Sequence, residues 1–189
     1  MSSEMLWLNE PEQWSVDGSS ITAITGMRTD FWRETFYGFV RDNGHFYHQS
    51  VTGDFTAEVT LSGAYEALYD QSGLMLRVDE RNWLKTGIEF TDGAMHVSTV
   101  LTRDFSDWSM VPLSSYDGEL TMRLTRHGTA LRVQSRDSRG VWQLLRLGYL
   151  DLPETVQVGP MCCSPERAGF AATFRDFRVT NAIPRELHD

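Results

Sequence analysis

Lysine is almost missing from this chain. Of 17 basic residues among 189, only Lys85 is a lysine and the rest are arginines. Basic charge is outnumbered by 26 acidic residues, for a net charge of −9. An acidic surface repels phosphate backbones, so no nucleic-acid partner is expected. No run of about 18 apolar residues occurs, which excludes a membrane-spanning helix. The first stretch, MSSEMLWLNEPEQWSVDGSS, has no basic segment followed by a long apolar one, so no secretory leader is expected. Cysteine is limited to the adjacent pair Cys162 and Cys163. Neighbours on a strand point to opposite faces, so they are expected as two thiols, one buried and one facing out. Reduced thiols fit a cytoplasmic protein. Phosphate loops, dinucleotide fingerprints and Gly-x-Ser-x-Gly elbows are absent, and no cofactor is implied.

What is present is alternation. Apolar and polar residues exchange with period two, and Gly, Asp, Asn or Pro breaks the pattern every 8–12 residues or so, the spacing of a sandwich or barrel. In 55–62, Phe55, Ala57, Val59 and Leu61 point one way and Thr56, Glu58 and Thr60 the other. In 72–78, Leu74, Leu76 and Val78 oppose Met75 and Arg77. In 82–90, Leu84, Ile88 and Phe90 oppose Trp83, Lys85 and Glu89. Further strands are expected over 5–8, 13–16, 20–25, 95–102, 108–111, 119–125, 131–133, 141–147, 155–161 and 170–180. Residues 66–69 are expected as a helical turn or an ordered loop, and 183–189 as a frayed tail. No repeat or linker interrupts the chain. The expected fold is all-β: one domain over 1–189, built as a two-sheet antiparallel sandwich.

The outward faces of the two central strands suggest a site. Arg77 lies on one strand and Trp83, Lys85 and Glu89 on the next. Lys85 and Glu89, four apart, share a face about 13 Å apart along it. The turn after Arg77 is expected to bring Arg77 near Lys85. Tyr69, Asp70 and Gln71 precede this hairpin, and His96 and Trp108 follow on the next strands. Aromatic rings to stack on apolar sugar faces, together with planar polar groups to bond hydroxyls, suit a carbohydrate or small polar ligand. The same residues also fit a polar sheet face laced with ordinary ion pairs such as Lys85–Glu89 and Arg77–Glu89. A second cluster, 29–48, includes Asp30, Trp32, His45 and His48. Trp32 or His45 is a candidate contributor to a site, and the Asn43-Gly44 turn suits positive φ. The His45/His48 spacing suits metal ligation on a helix, and this segment does not read helical, so no metal is expected.

The stretch LYDQSGLMLRVDERNWLKTGIEF, from residue 68 to 90, resembles the signature of a family of uncharacterised proteins named after a yeast regulator of enolase. So do TDFWRETFYGFVRDNGHFY (29–47), HVSTVLTRDFSDWS (96–109) and GPMCCSPERAGFAATFRDFRV (159–179). The resemblance implies a concanavalin A-like jelly roll, a superfamily in which many members bind or cleave glycans. The laminarinase-type members carry Glu-x-Asp-x-x-Glu on one strand, and this chain lacks that pattern. Its available acids, Glu66, Asp70 and Glu89, have no diagnostic spacing for paired-carboxylate hydrolysis. Three functions therefore stand side by side: a ligand-binding module, a small-molecule or glycan hydrolase in which Lys85, its pKa lowered, acts with Glu89, and a domain that regulates a metabolic enzyme by contact.

Overall fold

A computed structural model describes residues 4–187. The described residues form 16 strands, numbered here in chain order, and no helix. One seven-stranded sheet runs β1 (Leu6–Leu8), β6 (His45–Thr52), β15 (Thr155–Cys163), β8 (Gln71–Arg77), β9 (Asn82–Thr91), β10 (Ala94–Arg103), β11 (Phe105–Pro112). The other runs β14 (Trp142–Tyr149), β13 (Ala130–Arg136), β12 (Leu120–His127), β7 (Phe55–Gly63), β16 (Ala171–Asn181), β3 (Ser20–Ile24), β2 (Gln13–Asp17). Every pairing is antiparallel. This is the expected sandwich.

The core lies between the sheets because the alternation places it there. Ala57, Val59 and Leu61 of β7 meet Leu74 and Leu76 of β8, Leu84 and Ile88 of β9, and Met122 and Leu124 of β12. Each of these side chains other than Ala57 contributes roughly 1.5–3 kcal/mol by leaving water. The segment 66–69 is an ordered loop closed by a turn and not a helical turn, with Tyr69 in the left-handed region. Residues 183–187 form no strand, yet they are tied down: Ile183 N donates to Thr56 Oγ1, and Arg132 Nη2 donates to the Pro184 carbonyl.

A short hairpin, β4 (Phe31–Arg33) and β5 (Val40–Asp42), decides the shape of the outer face of the first sheet. It lies across that face and buries a second apolar cluster of Phe31, Trp32, Phe46, Met75, Trp83, Val100, Met161 and Cys163. Two expectations change as a result. Cys163 does point away from the main core, as strand geometry demands, but the hairpin covers it, so both thiols are fully buried and unbridged. Gly44 was expected to serve a positive-φ turn, yet it is not among the positive-φ glycines. Its constraint is steric: a Cβ there would sit 2.4 Å from the Phe31 ring and 2.5 Å from Cys163 Sγ. The register of β8 on β9 is a third correction. Arg77 faces Trp83, and Lys85 faces Met75. The turn at 78–81 is closed by Val78 and Asn82, which sets the pairing two residues away from the one expected.

Candidate functional site

Between the hairpin and the outer face of the first sheet lies a pocket of about 250 Å³. Its floor is polar: Gln71 from β8, Lys85 and Glu89 from β9, and Asp30 from the start of the hairpin. Its walls are aromatic: Trp32, Tyr37 and Phe39 from the hairpin, Tyr69 from the 64–70 turn, and Trp108 from β11. Arg41, Pro165 and Glu166 complete the rim, and Val100 lies beside Trp108.

The floor is a small network. Lys85 Nζ donates to Gln71 Oε1 at 2.7 Å and to Asp30 Oδ1 at 3.1 Å, and its side chain is only 5% exposed. Burial alone would lower the ammonium pKa, but the facing carboxylates, Asp30 foremost, outweigh burial and raise it. The expectation of a lysine with lowered pKa is thereby overturned. A lysine held protonated is a donor, and it is a poor base or nucleophile at neutral pH. Glu89 behaves differently. Burial is its largest influence and pushes the carboxyl above the usual range, while Lys85 pulls down less strongly. Trp108 Nε1 donates to Ser98 Oγ at 2.9 Å, and both groups bear on Glu89. This linkage fixes the plane of the Trp108 ring. Trp32 is fixed as well, by Nε1 donating to the Thr35 carbonyl at 3.0 Å, and meets Trp108 edge-on at 6.3 Å.

Of the residues expected at a site, the pocket gathers Tyr69, Gln71, Lys85, Glu89 and Trp108, and from the second cluster Asp30 and Trp32. Four others lie outside it, each for a visible reason. Asp70 is fully buried in a knot: Oδ2 accepts from Arg167 Nη2 at 2.6 Å and from the Glu66 and Ala67 amides at 3.0 Å, and Oδ1 accepts from Ser164 Oγ at 2.6 Å. Burial raises its pKa, but these donors together outweigh burial and hold the carboxyl below its ordinary value. Arg77 makes a two-pronged pair with Asp42 at 2.7 and 2.8 Å, instead of the expected pair with Glu89. Trp83 is sealed beneath the hairpin with no exposed surface. His96 is buried, with Nδ1 against the carbonyl of Ala94, and does not line this pocket. His45 is likewise structural: its Nε2 accepts from the Gly26 amide, so its Nδ1–H donates to Asn9 O at 2.5 Å. Arg41, also within the second cluster, lines the pocket too, whereas sequence reading missed Tyr37, Phe39, Pro165 and Glu166 as site residues. Among the described residues no group of three His, Cys, Asp or Glu side chains is placed to hold a metal ion, and no helix is long and apolar enough to cross a membrane.

The sequence pattern of proteins of unknown function, DUF1349, matches residues 7–182. The chain belongs to that family. It is 42% identical over 187 residues to "Regulation of enolase protein 1" of Saccharomyces cerevisiae, covering 99% of this chain and 94% of the relative. A crystal structure of a functionally unknown Saccharomyces cerevisiae protein superposes with TM-score 0.92 at 41% identity, covering 95% of this chain and 97% of that one. More distant likenesses bear on the fold alone. A GH43 protein, BlXynB of Bacillus licheniformis, matches with TM-score 0.70 at 15% identity, over 95% of this chain and 37% of its own. The carbohydrate-binding module CBM66 from Bacillus subtilis matches with TM-score 0.57 at 11% identity, over 93% and 95%. These family members and neighbours agree with the expected family and sandwich.

Proposed function

We propose that this protein is a binding module for a carbohydrate-type or small polar ligand, held in the pocket floored by Lys85 and Glu89. One observation carries the reading: a cavity with rigid aromatic walls ends on buried groups that can both donate and accept. Ring faces stack on the apolar faces of sugars, and planar amides, carboxyls and an ammonium bond their hydroxyls. The pocket also matches the general form of ligand sites, mostly apolar with a few placed polar groups. One fold neighbour, CBM66, is a carbohydrate-binding module, which supports the same class. Two unbridged thiols fit residence in the cytoplasm. The test is a melting-temperature screen of the whole chain against neutral mono- and oligosaccharides. A binder at a hundred times its Kd adds about 2.7 kcal/mol, a rise of several degrees. A panel that leaves the melting temperature flat removes the reading.

Glu89 favours a hydrolytic reading as the second choice. A buried carboxyl with a raised pKa has the form of a general acid, and Asp30 places a second carboxylate in the same pocket. Release of reducing ends from a chromogenic glycoside panel, abolished by Glu89→Gln, would establish it. Equal release by wild type and variant would remove it.

A further inference from the structure

The outer face of a sandwich sheet is usually pictured as an open trough along which a polymer can lie. Here the trough is dammed on both sides. Toward Arg77, the hairpin fills it: Phe31 and Trp32 pack with Met75, Trp83 and Met161, and Arg77 clamps Asp42 at the far end of β5. On the opposite side, Pro165 and Glu166 close it. Their segment is pinned to the 64–70 turn by Arg167, which reaches Asp70, Glu66 and the Ala64 carbonyl. A strap joins the two dams: the hydroxyls of Tyr37 and Tyr69 meet at 3.0 Å. Tyr69 takes a left-handed backbone, φ 66°, to reach it, at a cost of order 1–2 kcal/mol for a non-glycine residue.

Size and charge narrow the occupant further. The cavity's volume of about 250 Å³ lies just below the roughly 300–1,000 Å³ of drug-sized pockets, a scale that suits one sugar ring better than a run of several. Of the two cations at the pocket, one is neutralised by an ion pair and the other is held at the rim by a carbonyl and a ring. Lys85 is paired with Asp30 and bonded to Gln71, and Arg41 donates to the Arg28 carbonyl and lies 5.1 Å over the Phe39 ring. Against them stand Asp30, Glu89 and Glu166. An anionic ligand would meet three acids against two cations, of which Lys85 is already paired with Asp30 and Arg41 stands at the rim. A cationic one would meet the Lys85 ammonium at the floor.

We propose that the pocket takes a single uncharged sugar unit end-on, either free or at the terminus of a chain, and excludes chain interiors and acidic or phosphorylated sugars. This rests on the saccharide reading of the same pocket and adds its mode. Trp108 and Trp32, set nearly perpendicular at 89°, form a corner: one ring stacks on the sugar face while the other bounds its edge. The remaining donor capacity of Lys85 and the oxygens of Glu89 meet the hydroxyls. The linkage to any further unit leaves through the mouth of the pocket.

The test is titration calorimetry of the full chain with glucose, xylose, arabinose and fructose, each as monomer and as linear oligomers of two to six units. Galacturonate, glucose 6-phosphate and tetramethylammonium complete the panel. The expected result is one neutral series whose Kd changes less than threefold with length, with acidic counterparts at least tenfold weaker. Trp108→Ala should weaken that series more than tenfold. Should that variant fail to fold, Tyr69→Phe, which leaves the wall but removes the strap, should weaken it several-fold. Affinity that climbs more than tenfold with added units overturns end-on binding while keeping the saccharide reading. Tighter binding of the uronate or the phosphate overturns the charge selection. Binding of tetramethylammonium alone, or of nothing, overturns both readings.

Discussion

Two buried carboxyl clusters lie on neighbouring parts of this fold, and they differ in what they leave unfinished. Asp70 receives a guanidinium, a hydroxyl and two backbone amides. It does not line the pocket, and its donors outweigh burial. Glu89 sits against a cavity, and burial outweighs its partners. A charge whose partners are all supplied by the chain is a structural joint. A carboxyl whose partners do not outweigh its burial, set beside an open volume, is a place where a ligand can add to the network. The sequence puts both acids near one hairpin, and only the packing separates their roles.

The sharpest way to break this comparison is at the joint. Asp70→Ala takes from Arg167 its buried partner, leaving it only Glu66 and the Ala64 carbonyl, and loosens the wall carrying Pro165 and Glu166. The expected cost is about 3–5 kcal/mol, as for a broken buried pair, read as a fall of roughly 10 °C in melting temperature. Lys85→Met is next: it leaves Asp30 without its cation and should cost about 3 kcal/mol, the lower end of that range because Asp30 keeps some exposure. Chemical denaturation of both variants measures the order.

Acid titration tests the two carboxyls with opposite sign. The folded pKa of Asp70 is lowered, so its contribution is present above the unfolded value of about 3.9 and is lost as pH falls through the folded one. The stability gap between wild type and Asp70→Asn should therefore shrink in acid. The folded pKa of Glu89 is raised, so its burden is absent below about 4.3 and grows as pH rises toward the folded value. Glu89→Gln should match wild type near pH 4 and equal or exceed it at pH 7. Melting curves from pH 3 to 8 check both, and parallel profiles would remove the distinction. The smallest effect belongs to Tyr37→Phe, which removes only the rim hydroxyl pair. Stability should change by less than about 0.5 kcal/mol, as for a surface substitution, while the ligand-induced rise in melting temperature falls.

Alternation made the sandwich legible, because a strand with one buried face must write period two into the sequence. It also sorted Trp83, Lys85 and Glu89 from Leu84 and Ile88 correctly. Alternation names a face, though, and is silent about what lies on it. Trp83 and Arg77 share the face of Lys85, yet the hairpin seals them. That hairpin is two strands of three residues each, too short to display a period. Its contacts are remote in sequence: Asp30 meets Lys85 across 55 positions, and Tyr37 meets Tyr69 across 32. Strand β6 was missed too, since HFYHQSVT mixes buried His45 and His48 with the apolar residues. Asp70 was read as a ligand contact because nothing local announces Arg167, 97 positions away.

The lone lysine has a practical chemical consequence. A free amine beside a reducing sugar condenses with its aldehyde, and a pocket for such a ligand risks slow covalent fouling. Lys85 is buried and held as an ammonium by Asp30, and an ammonium has no lone pair to offer. Amine-directed labels and crosslinkers should pass this side chain by as well, so mild lysine acylation should leave the pocket chemically untouched while the fold is intact.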